Sequence, residues 1–215
     1  MINIMLAGVG GQGTVLAAKV LAQAAANKGW QVRTAETIGM AQRGGNVVSH
    51  VRMGNDGEEV YAPLVAQGSA DVIIGFEPAE TARVLPYLAP GGLVVAAQTS
   101  IQPVTAALSK VPYKSEVVLQ HIAESLGLGD EVKGSSGAFC INENESKMAQ
   151  LVTVDDAQIC GELGTRKPLN MIMLASALAQ NRLPLSVDDL KEAVALCVKP
   201  QLVAMNLEAI DKAVG

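Results

Sequence analysis

The chain opens on an apolar run, Ile2, Ile4, Met5, Leu6 and Ala7, that passes directly into Gly8-Val9-Gly10-Gly11-Gln12-Gly13. A short run of this kind is expected of a strand buried on both faces of a parallel sheet. From Thr14 an Ala-rich segment of helix-forming composition continues to Lys28 and is closed by Gly29. Strand, glycine turn and helix in that order are the start of a doubly wound α/β domain. Glycines let backbone N–H groups crowd together, and the positive end of the helix dipole lies behind them. Such a corner suits a phosphate, a carboxylate or another protein's backbone.

The remaining sequence fits this start. Trp30 to Glu36 reads as a second strand, ending on an acid, and Thr37 to Gly45 as a polar, glycine-bearing loop. Asn46 to Met53 alternates, and Gly54-Asn55-Asp56-Gly57 is expected to turn it into a short Val60-Tyr61 strand, forming a hairpin. Asp71 to Phe76 reads as another buried strand. Glu77 and Pro78 start a helix through Leu88, and Pro90-Gly91-Gly92 turns the chain into a strand from Leu93 to Ala97. Ser115 to Leu126 is an amphipathic helix. Residues 127–148 read as a loop, with Phe139-Cys140-Ile141 as a short strand within it, and Leu151 to Val154 as a further strand. Asp155 or Asp156 caps a helix through Leu163. Leu169 to Ala179 is apolar on almost every side and is expected to be a buried helix. Ser186-Val187-Asp188-Asp189 starts another helix with a capping-box pattern, Pro200 ends it, and a last helix carries Val203, Leu207, Ile210 and Val214. The expected fold is a three-layer α/β arrangement, Rossmann-like, with a mostly parallel sheet flanked by helices and a helical C-terminal part. Neither a repeat nor a linker divides residues 1–215, so one domain is expected.

Composition removes several function classes. The net charge is −5 and only 3% of residues are aromatic, which disfavours nucleic-acid binding. No apolar run reaches the roughly 18 residues of a membrane span, and Met1 leads straight into the first strand, so a cytoplasmic protein is expected. Cys140, Cys160 and Cys197 are scattered without a C-x-x-C pair, and read as small buried hydrophobes. Three such thiols do not make the four-thiolate set of an iron–sulfur cluster.

Gly8-x-Gly10-x-x-Gly13 satisfies the dinucleotide fingerprint, and Glu36 ends the next strand, where such folds hold ribose hydroxyls. This reading makes the chain an independent NAD-, FAD- or nucleotide-binding protein. Against it, no acid/base set for hydride transfer accompanies the motif. A turn needed only for packing is the plainer alternative. His50 and His121 have no nucleophile or ligand set around them, and Ser135 and Ser136 have no base. The second notable feature is Met40, Gln42 and Arg43 beside Gly44-Gly45. The guanidinium there suits an anionic group or an interfacial carboxylate, or is simply solvated.

Taken together, Gly8-Val9-Gly10-Gly11-Gln12-Gly13, Glu36-Thr37-x-Gly39-Met40-Ala41-Gln42-Arg43-Gly44-Gly45 and Val47-Val48-Ser49-His50-Val51-Arg52 resemble the gamma-type domain of 2-oxoacid:ferredoxin oxidoreductases, and among these the small (beta) subunit of the indolepyruvate enzymes. Ala70-Asp71-Val72, Phe76-Glu77-Pro78, Leu163-Gly164, Asn170 and Met173-Leu174 add to the resemblance, which spans nearly the whole chain. It implies an oxidoreductase component with no cofactor or metal of its own and no catalytic residue. Thiamine diphosphate and [4Fe–4S] clusters are then expected in a large partner subunit, with CoA as acyl acceptor and ferredoxin as electron acceptor of the assembly. By the same resemblance Gly8, Gly10, Gly11, Gln12 and Gly13 form a backbone anion corner, and Met40, Gln42, Arg43 and Gly44 the loop that faces the partner or its ligands. Two departures stand out: residues 127–148 are longer than the usual link, and Ala175 replaces a common glycine.

Overall fold

The computed structural model describes the chain except residues 40–44, 56, 102–112, 129–137 and 140–148. Strand β1 (Ile2–Val9) lies inside a seven-stranded sheet with β2 (Gln31–Ile38), β3 (Asn46–Gly54), β4 (Ala70–Gly75), β5 (Leu88–Ala97), β6 (Ala138–Phe139) and β7 (Gln150–Val154), in the order β2-β3-β1-β4-β5-β7-β6. Strands β1, β4, β5 and β7 pair parallel, whereas β3 runs antiparallel to both β1 and β2, and β6 antiparallel to β7. The expected mostly parallel sheet is therefore a four-strand parallel centre with antiparallel margins.

Helices cover the two faces. On one side pack α1 (Thr14–Asn27), α4 (Asp156–Glu162), α5 (Leu169–Leu178), α6 (Val187–Cys197) and α7 (Pro200–Val214); on the other lie α2 (Pro78–Val84) and α3 (Ser115–Ser125). Helix α1 buries Ala17, Ala18, Leu21, Ala24 and Ala25, a stripe of small side chains that lets its backbone lie close to the sheet. It stops because Gly29 takes a left-handed turn (φ 77°), from which Gly29 N–H reaches the Ala26 carbonyl and Trp30 N–H the Ala25 carbonyl. Every residue of α5 is buried, Asn170 and Ser176 along with its apolar side chains. Helix α6 begins in the expected capping box, Ser186 Oγ accepting from Asp189 N–H while the Asp189 carboxylate accepts from Ser186 N–H. Ser186→Ala is expected to remove about 1 kcal/mol of stability, measured by urea unfolding.

Three sequence expectations are corrected. Val60 and Tyr61 form no strand, because both edges of β3 are already taken by β1 and β2; the hairpin is β2–β3 instead. Pro90-Gly91-Gly92 does not precede β5 but lies inside it, in a bulge that shifts the β4–β5 register between Ala70 and Val72, with Gly91 at φ 75°. The Glu77–Pro78 helix is also shorter than expected, giving way to a 3-10 turn over Leu85–Tyr87. The residues of the expected Phe139-Cys140-Ile141 strand beyond Phe139 lie outside the described residues.

His50 is a buried structural residue. Its Nδ1 accepts from Val65 N–H at 3.2 Å, which pins the segment between β3 and β4 to the sheet. Burial pushes its pKa below the usual 6.5. The unfolded chain then binds the proton more readily, so this contribution is complete above pH 6.5 and is lost as pH falls through that value toward the lower folded one. Urea unfolding at pH 7.5 and 5.5 is expected to show the loss, with a slope of at most about 1.4 kcal/mol per pH unit, and His50→Gln to flatten it.

Candidate functional site

Strand β1 sends its chain to α1 on one face, and β4 sends its chain to α2 on the other. The carboxyl ends of these two adjacent parallel strands therefore flank the switch point of the sheet, where α/β folds bind ligands. Here the crevice is occupied by the protein itself. The Gln12 carboxamide sits in it, 9% exposed, with Oε1 accepting from Val9 N–H at 2.8 Å and Nε2 donating to the Phe76 carbonyl at 2.6 Å. A Cβ on Gly8 would lie 2.7 Å from Gln12 Oε1 and 3.1 Å from Phe76 Cβ, so glycine at position 8 is what leaves room for this side chain.

The rest of the turn is anchored from both sides. Gly10 donates to the Gly45 carbonyl at 2.9 Å, tying the turn to the end of the β2–β3 loop. Gly13 takes φ 80° and caps α1 without a side-chain bond, and a Cβ there would meet Asn170 Nδ2 at 2.8 Å. Asn170, buried in the first turn of α5, donates to the Gly13 carbonyl at 3.3 Å. Gly11, at φ 97°, has open space around it. Among the described residues the N–H groups of Gly11, Gly13 and Thr14 meet no acceptor, and the Thr14 hydroxyl is buried without a partner. Neither α1 nor α5 has an acidic residue in its first turn. The corner thus keeps some anion-attracting character at its rim, while its interior is filled.

Beside Phe76, a buried carboxylate organises the next loops. Glu77 caps α2 by accepting from Glu80 N–H at 3.1 Å, and its Oε1 accepts from the Tyr113 hydroxyl at 2.5 Å and from Ile101 N–H at 3.4 Å. Tyr113 also accepts from Ala79 N–H. Burial, and then the bond to Glu77, pushes the Tyr113 pKa well above its ordinary value, so this donor keeps its proton. Glu80 is buried too, with Oε2 unpartnered among the described residues. Burial raises its pKa, with Arg83 opposing and Glu77 adding to the shift. Sequence reasoning took Glu77 as a helix start and as part of the family resemblance, and gave Tyr113 no role. The signal available was Glu77-Pro78 with Glu80 three residues on, a cap-and-first-turn pattern.

Glu36 is not brought to the glycine turn. It is exposed on β2, and β3 stands between β2 and β1, so two strand spacings, roughly 10 Å, separate the second strand from the first. A dinucleotide site needs those strands adjacent. Met40, Gln42, Arg43 and Gly44 lie outside the described residues, as do Ser135, Ser136 and Cys140. Cys160 is buried in α4 and its thiol is pushed up by burial; Cys197 ends α6, and His121 is exposed on α3. Among the described residues no group of three His, Cys, Asp or Glu side chains is placed to hold a metal. What the geometry offers is a rigid carboxyl edge, stitched from Gly45 through Gly10, Gln12 and Phe76 to Glu77, Ile101 and Tyr113. Exposed apolar residues stand on it: Val15 at 45%, Ile38 at 66% and Ile101 at 39%.

Comparison with known proteins places these features. The family described as pyruvate ferredoxin/flavodoxin oxidoreductase matches residues 3–215. The chain is 35% identical over 209 residues to the indolepyruvate oxidoreductase subunit IorB of Pyrococcus horikoshii, covering 97% of this chain and 92% of that one. It is 32% identical over 211 residues to IorB of Archaeoglobus fulgidus, with the same coverage. Among solved structures, the gamma subunit of keto/oxoacid ferredoxin oxidoreductase from Geobacter sulfurreducens superposes with a TM-score of 0.63 at 18% identity, covering 100% of this chain and 96% of that one. Pyruvate oxidoreductase subunit PORC from Thermotoga maritima gives 0.65 at 17% identity, covering 99% and 94%. These two likenesses establish the fold.

Proposed function

The chain belongs to the pyruvate ferredoxin/flavodoxin oxidoreductase family, and from that premise we propose that it is the small subunit of a 2-oxoacid:ferredoxin oxidoreductase acting on indolepyruvate and related aryl pyruvates. The near full-length identity to IorB subunits carries this reading. In the assembled enzyme the oxoacid loses carbon dioxide, the acyl group passes to CoA and two electrons leave for ferredoxin. Thiamine diphosphate and [4Fe–4S] clusters supply that chemistry from a large partner subunit. Among the described residues, Cys160 and Cys197 sit on separate helices, and no group of three His, Cys, Asp or Glu side chains is placed to hold a metal. The chain's proposed contribution is a docking surface: the turn Gly8 to Gly13 is preformed, and by the family resemblance Met40, Gln42, Arg43 and Gly44 face the large subunit and the anionic groups it holds. The family match over residues 3–215 supports treating the chain as one gamma-type domain. No described helix is long and apolar enough to cross a membrane, and the cytoplasm is its proposed location.

Reconstitution tests the reading. With the large subunit added, indolepyruvate- and CoA-dependent reduction of a viologen dye is expected, and neither chain alone should support it. Dye reduction by this chain alone, or no gain on mixing, contradicts the reading.

A further inference from the structure

We draw no further inference here: the strongest candidate, the corner where the first turns of α1 and α5 meet at Gly13 and Asn170, belongs to the site already described, and its buried Thr14 hydroxyl faces Gly8 inside the turn rather than the rim.

Discussion

Gln12→Ala is expected to destabilise the isolated chain by about 2–4 kcal/mol, since it strands the Val9 N–H and the Phe76 carbonyl in a buried crevice. For a chain of this size that corresponds to a fall in melting temperature of roughly 5–15 °C. Cavity creation adds to the loss of the two bonds, because Gly8 leaves no side chain to close the space. The comparison with Gln12→Glu separates packing from hydrogen bonding. Glutamate fills the same volume and still accepts from Val9, yet it turns a lone pair, on a buried charge, toward the Phe76 carbonyl. Gln12→Glu is therefore expected to melt at least as low as Gln12→Ala at pH 7. If Gln12→Ala melts within 2 °C of the wild type, the carboxamide bridge between the carboxyl ends of β1 and β4 is not what stabilises the crevice.

Glu77→Ala is the second large effect, about 3–5 kcal/mol by denaturant unfolding. One carboxylate accepts from Glu80 N–H, Ile101 N–H and the Tyr113 hydroxyl, and bonds to charged acceptors are the stronger ones. Removing it leaves three donors at the carboxyl edge without their acceptor. The effect should also be visible at Tyr113, whose pKa is held up by burial first and by Glu77 second. Glu77→Ala is expected to lower the midpoint of its ultraviolet titration, and Glu77→Gln to lose less than half as much stability, because the amide oxygen still accepts. Equal losses for the alanine and glutamine variants would show that shape, not hydrogen bonding, is what Glu77 supplies.

Much of the fold was legible because local signals agreed with one another. The apolar run before Gly8, the Ala-rich α1 and the largely apolar α5 each admit one placement in an α/β core. Ser186 and Asp189 marked the start of α6 through their own hydrogen-bond chemistry. What misled was partner choice. The Gly54-to-Gly57 turn has good hairpin chemistry, but sequence does not reveal that β3 is already flanked by β1 and β2. The same non-local fact moves Glu36 away from the glycine turn and undoes the dinucleotide reading. Likewise Pro90-Gly91-Gly92 reads as a turn, whereas in the sheet it is a bulge that keeps β5 in pairing distance of β4.

The site was legible in part. The glycines of the turn were recognisable, and their positions have concrete reasons in Gln12 and Asn170. That Gln12 folds back to fill the crevice was not readable, since a glutamine in a glycine loop points equally well outward. Tyr113 lies 36 residues from Glu77, and nothing local to either announces the bond between them.

The central claim is that the switch point of this sheet is closed by Gln12, leaving redox chemistry to a partner chain. Isothermal titration of the isolated chain with NAD and with FAD tests it most directly. The account predicts no saturable heat for either at millimolar ligand. Stoichiometric binding of either dinucleotide in the micromolar range, weakened by Glu36→Ala, would contradict it.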